Sequence, residues 1–185
     1  MVSLNSAVLA CWCVFLLVWA VLSLRAKASV RRSFGAGGML PRVAVLILAV
    51  AIGQGVARGW LPRTTFPAGV RLAGLALTVL GIGFAIWARL TLGSNWGMPM
   101  TLREKPELVT AGPYAMVRHP IYTGIIFGLL GSALTVGVLW LAVFLLGLVY
   151  FTLSAQREER DMQAHFPDAY PPYRARTKML IPFVF

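Results

Sequence analysis

Carboxylates that could do acid–base work are confined to the second half of this chain. All 6 acidic residues, Glu104, Glu107, Glu158, Glu159, Asp161 and Asp168, lie beyond Arg103. Three stretches there combine reactive side chains with turn residues: Leu92-Gly93-Ser94-Asn95-Trp96, the run from Gly112 to Gly124, and Glu158-Glu159 with Phe166, Tyr170, Tyr173 and Pro182 behind it. Arg118-His119-Pro120 reads as a loop turning into a helix. Proline suits a first helical position, and the open amides of that turn favour an anionic group such as a ligand carboxylate. The same residues also suit a positive-inside arginine and a polar cap at the membrane interface. Glu158 and Glu159 fall where the last apolar stretch ends. Facing inward, they could hold positive charge on a ligand; facing outward, they would be a solvated helix end, with Arg157 and Asp161 as an i,i+4 pair. Tyr114 and Tyr122 could present ring faces to a cation, worth roughly 0.5–2 kcal/mol, or serve as interface anchors.

Other chemistries find little support. Cys11 and Cys13, two apart on an expected helix, point to different faces and read as packing or lipid-facing residues. With no other thiol and no histidine pair at ligand spacing, no metal site is expected. Phe34-Gly35-Ala36-Gly37-Gly38 lacks both a preceding strand and a following Gly-Lys-Ser/Thr, so it reads as a connection rather than a phosphate loop.

The elements that must position these residues are membrane spans. Of 185 residues, 58% are hydrophobic and 12% charged, far more apolar than one soluble core requires. The net charge of +11 is spread in short basic clusters between apolar runs, a pattern of topology signals and lipid-headgroup contacts rather than of a nucleic-acid surface. About five transmembrane helices are expected: Ala7 to Leu24, Arg42 to Ala57, Val70 to Leu90, and Ile121 to Ala155 divided at Thr135-Val136-Gly137 into a hairpin of spans four and five. The first span has no basic n-region or cleavage site and reads as a retained helix. Gly53 and Gly55, and Gly74, Gly81 and Gly83, are expected to allow close helix approach. The fold class is therefore an all-α integral membrane protein. Residues 1–91 form an amino-terminal three-helix region and residues 92–185 a carboxy-terminal catalytic region, together one integrated domain. The basic loops put the amino terminus outside and the loop after span three, the start of span four and the tail at the cytoplasmic face. Arg58, Arg63 and Arg71 run against that assignment.

The order and spacing of Gly112, Tyr114, Arg118-His119-Pro120, Tyr122 and Gly124, followed by Glu158-Glu159, resemble the isoprenylcysteine carboxyl methyltransferase family over Leu92 to Phe185. The resemblance implies a membrane enzyme that transfers a methyl group from S-adenosylmethionine at the cytoplasmic face. It implies donor binding by Pro106, Glu107, Leu108, Val109, Tyr114, His119, Pro120, Ile121, Tyr122 and Glu158, with Glu158, Glu159 and Arg118 as catalytic residues. Ser154 stands one turn before Glu158, where eukaryotic members carry an arginine for the substrate carboxylate. The partner implied is a lipophilic small molecule entering from the lipid bilayer. A carboxylate nucleophile would need positioning and desolvation but no base; an amine or alcohol would need one, for which Glu159 or His119 is available. Without a Gly-x-Gly-x-x-Gly opening a βαβ unit, a soluble-type donor fold is excluded. Two further readings stand beside this one: a membrane reductase of the sterol-reductase kind using NADPH, and a non-catalytic small membrane protein.

Overall fold

The computed structural model describes residues 3–23, 29–32, 47, 51–52, 54–55, 58–61, 65–93, 101–103 and 108–181. Its helices are α1 (Leu4–Ser23), α2 (Ala68–Leu92), α3 (Pro120–Val136), α4 (Leu141–His165) and the short α5 (Tyr170–Arg176). The architecture is helical apart from a small antiparallel ribbon, β1 (Ser29–Arg32) with β2 (Thr101–Arg103), which sets Ser29 opposite Arg103 and Arg32 opposite Thr101.

Three helical stretches, Leu4–Leu22, Ala68–Leu92 and Val138–His165, are long and apolar enough to cross a bilayer. Large apolar side chains such as Leu16, Leu17, Leu80, Leu145 and Val149 point outward from them, as lipid requires. α3 has only 17 residues, a rise of roughly 25 Å, less than the roughly 30 Å of a typical hydrocarbon core. It ends at Gly137, whose φ of 152° breaks the long apolar stretch at the expected turn before a 3₁₀ turn at Val138–Trp140 leads into α4. The expected second span lies mostly outside the described residues, of which Ile47, Ala51, Ile52, Gln54 and Gly55 are helical.

α1 and α2 run parallel. At one end Arg89 of α2 donates to the Leu22 carbonyl, and at the other Arg71 donates to Asn5. α3 returns against α2 with their backbones in near contact. A Cβ placed on Gly81 would lie 2.6 Å from Gly128 N and 2.7 Å from Gly124 O, and one on Gly74 would lie 2.8 Å from Gly131 O. Hydrogen bonds stitch the same seam: Thr135 Oγ1 donates to Arg71 O at 3.1 Å, and Arg71 Nε donates to Thr135 O at 2.9 Å. Gly83 departs from the expectation, with nothing within 4 Å of a Cβ built there. Two residues past Gly81, it is rotated about 200° around the helix and faces away from α3. This interlock runs across the 91/92 division between the two expected regions. α1 is added through Phe15 and Trp19, stacked at 4.2 Å, and through Trp12 Nε1, which donates to Ser132 Oγ at 2.9 Å.

This threading brings the C-terminal ends of α1 and α2, the start of α3 and the end of α4 to one end of the bundle. The expected catalytic residues gather there.

Candidate functional site at the α3–α4 end

Entry into α3 is set by a 3₁₀ turn, Gly112–Ala115, in which Gly112 has φ 58° and Pro113 opens the turn. Tyr114 is buried there, and its carbonyl accepts the Tyr173 hydroxyl at 2.7 Å. The next residues are clasped by the segment after α5. Val117 pairs with Lys178 in a parallel bridge, the Arg118 and His119 amides donate to Lys178 O and Met179 O at 2.9 and 3.1 Å, and Thr123 Oγ1 donates to Leu180 O at 2.7 Å. Met179 and Leu180 then bury beside Tyr122, Ile126 and Ala155. His119 takes the N-cap position of α3 and Pro120 its first turn, as a helix start favours.

Glu158 and Glu159, adjacent on α4, diverge by about 100°, and each meets a different partner. Glu159 accepts Arg118 Nε at 2.6 Å and has Arg174 Nε at 3.6 Å. The Arg118 guanidinium also donates to the carbonyls of Arg174 and Thr177. Glu158, more open with 21% of its side chain exposed against 10% for Glu159, accepts the Tyr122 hydroxyl at 2.5 Å. His119 sits between the two, its Nδ1 3.6 Å from Glu158 Oε2 and its Nε2 3.6 Å from Glu159 Oε1. Both distances are beyond direct hydrogen bonding, and Nε2 is buried with no hydrogen-bond partner. Burial alone would pull the His119 imidazole down, but the two carboxylates outweigh it and hold its pKa above the ordinary 6.5. Burial pushes the Tyr173 phenol up to about 12 and raises those of Tyr114 and Tyr170, so all three stay protonated.

Several expected site residues converge here: Tyr114, Arg118, His119, Pro120, Tyr122, Glu158 and Glu159 share this end of the bundle. Pro106 and Glu107 lie outside the described residues, as do Ser94, Asn95, Trp96 and Pro182; Leu108 and Val109 are half-buried in the approach to the turn. Arg118 and Glu159, both expected as catalytic residues, pair with each other, and the Arg118 and His119 amides donate to the tail. The Tyr122 ring is stacked by His119, 5.6 Å away at 5°, and flanked by Phe151 at 5.0 Å, so Tyr122 offers its hydroxyl rather than a ring face. Ile121 packs with the apolar cluster of Tyr122, Ile126 and Met179. Ser154 is buried and donates to its own helix at Tyr150 O, 2.8 Å away.

The sequence reading also passed over Arg89, 1% exposed, which donates to Gly93 O at 2.8 Å and Leu22 O at 2.9 Å and so ties together the ends of α1 and α2. An arginine one turn before the end of an apolar run was the available signal. Tyr173 was singled out without its partner. Tyr173→Phe leaves the Tyr114 carbonyl without that donor and is expected to cost about 1–3 kcal/mol, read as a lowered thermal unfolding midpoint in detergent; an unchanged midpoint would deny the Tyr114 clasp any weight.

A family model described as phospholipid methyltransferase matches residues 70–169. A stretch of 111 residues is 32% identical to the cobalt-zinc-cadmium resistance protein CzcN of Cupriavidus metallidurans, covering 58% of this chain and 49% of that protein. Another of 73 residues is 38% identical to methanethiol S-methyltransferase 2 of Bradyrhizobium diazoefficiens, covering 39% and 27%. Half or less of the length of these curated relatives is therefore spanned. The solved structure of the eukaryotic intramembrane Ras methyltransferase ICMT (isoprenylcysteine carboxyl methyltransferase) shares the fold, with a TM-score of 0.58 at 23% identity over 84% of this chain and 55% of that one. The family resemblance read from the sequence is thus borne out.

Proposed function

Because the chain belongs to the phospholipid methyltransferase family, we propose that it is an integral membrane enzyme that moves a methyl group from S-adenosylmethionine to a lipophilic acceptor entering from the bilayer. One observation carries this reading: Glu158 and His119, 39 residues apart on separate elements, meet 3.6 Å apart at the end of the bundle. A carboxylate there, partly exposed and hydrogen-bonded by Tyr122, suits a ligand that brings positive charge. The residues fit such a donor because Glu159 is already neutralised by Arg118 and Arg174, which leaves Glu158 as the carboxylate nearer to solvent.

When bound, the donor supplies an electrophilic methyl group on a cationic sulfur. Glu158 holds that positive charge and orients it, with Leu108 and Val109 along the approach. The Arg118–Glu159 pair and the clasp at Lys178 and Met179 fix the backbone that carries His119. Arg118 and Glu159 act as positioning residues. The outward apolar face of α4, with Leu145, Leu146, Val149 and Leu153, borders the lipid from which the acceptor comes. A carboxylate acceptor arrives anionic and needs no base, which suits a site whose carboxylates are occupied in pairing. The similarity to a methanethiol S-methyltransferase favours a thiol as the second reading. In orientation, the site faces the cytoplasm and the amino terminus lies outside. Arg31 and Arg32 of β1 and Arg103 of β2, at the site's end of the chain threading, accord with the positive-inside tendency.

The test is transfer itself. Membranes holding the protein, given methyl-labelled S-adenosylmethionine, should place label in the lipid or small-acid fraction. Release of that label by alkali marks an ester, and retention marks a thioether or amine. The donor should also raise the unfolding midpoint in detergent where NADPH does not. Absence of both labelling and thermal protection would sink the proposal.

A further inference from the structure

Resting on the reading of this site as a donor site, we infer that His119 carries the proton that stands in for the donor's positive charge beside Glu158, and that the donor's arrival displaces it. The charges around the imidazole leave it that role. From α4 it faces Glu158 and Glu159, each 3.6 Å away. Arg118 in the adjoining loop and Arg174 on α5 also engage Glu159. From α3, Tyr122 gives Glu158 a neutral hydroxyl at 2.5 Å. The phenols of Tyr114, Tyr170 and Tyr173, on the 3₁₀ turn and α5, are raised by burial and stay uncharged. A proton on His119 therefore faces Glu158 across 3.6 Å. Its Nε2, buried and without a hydrogen-bond partner, is held in place by carboxylate charge and by the stack on Tyr122.

The sign follows from linkage. His119 binds its proton more tightly in the folded protein than unfolded, since its pKa is raised from 6.5. The stability this contributes is complete below the unfolded value and is lost as pH rises through the folded one. A sulfonium and an ammonium brought against Glu158 repel that proton and lower the pKa in the complex. Donor affinity must then rise with pH between the two values, by at most about tenfold per pH unit, and level off above.

Calorimetric titration of the full chain in detergent with S-adenosylmethionine, in buffers of different ionisation heat, reads the proton directly. The expected result is release approaching one proton below the His119 pKa, smaller release with S-adenosylhomocysteine, which lacks the sulfonium, and none in His119→Gln. Imidazole NMR on His165→Gln, which leaves His119 as the single histidine, reads the same proton without that variant: its titration should lie above the ordinary histidine value and fall when the donor is added. Donor binding with no proton uptake or release, equal release from His119→Gln, or a His119 titration unmoved by donor overturns the inference while leaving the donor site standing. If neither nucleoside binds at any pH, the donor site itself falls and the inference with it.

Discussion

Glu158→Gln is expected to weaken S-adenosylmethionine binding by about thirtyfold to several thousandfold while leaving the fold intact. Glutamine can still accept the Tyr122 hydroxyl that Glu158 accepts at 2.5 Å, so the packing of α3 on α4 keeps its hydrogen bond. What disappears is the negative charge. Removing one member of a desolvated charge pair costs about 2–5 kcal/mol, which sets the range given. The more exposed position of Glu158, with 21% of its side chain open, argues for the lower half of that range. Equilibrium binding of labelled donor, run beside a thermal unfolding scan, separates lost affinity from lost structure. Wild-type affinity in Glu158→Gln would remove the carboxylate from the donor's surroundings. Glu159→Gln should behave differently: its loss leaves Arg118 and Arg174 without their shared carboxylate, so the unfolding midpoint should fall along with affinity.

Gly81→Val is expected to produce a large loss of stability, about 3 kcal/mol or more. The Cβ alone would approach Gly128 N to 2.6 Å and Gly124 O to 2.7 Å, and both are backbone atoms of α3 that cannot swing aside. Overpacking in a core that can adjust costs about 1–3 kcal/mol; here the two helices must separate instead. Because lipid gives these helices little hydrophobic reason to associate, backbone contact supplies much of the adhesion between them. Gly83→Val is the control, since a Cβ there meets nothing within 4 Å. Thermal unfolding in mild detergent should show a large drop for the first variant and little change for the second. Equal midpoints would mean that α2 and α3 do not meet along this seam.

What could be read in advance was carried by local pattern. Pro120 announced the start of α3, Gly137 marked its end, and three of the five expected spans coincide with helices long and apolar enough to cross a bilayer, because these signals act within a few residues. The meeting of His119 with Glu158 was legible through the resemblance and not through spacing, since nothing in a 39-residue separation dictates contact. Elements without a repeating signature escaped. The clasp of Val117 by Lys178 is a single bridge with no alternation to betray it, and the β1–β2 ribbon joins segments about 70 residues apart. Gly74, Gly81 and Gly83 were expected on one helix face, whereas the helical turn puts only the first two against α3. The stacking of the Tyr122 ring with His119 could not be read in advance, because a sequence does not say which way an aromatic ring is already stacked.

Since carbonyls of Thr177, Lys178, Met179 and Leu180 hold the residues that open α3, the binding centre is assembled out of chain order. During synthesis, Arg118 and His119 leave the ribosome some 60 residues before the strap that secures them, with α4 still to be inserted between. For the proposed donor site, a partly made chain can therefore occupy the membrane with α1, α2 and α3 in place and yet lack the strap, so competence would arrive in one late step rather than growing with length.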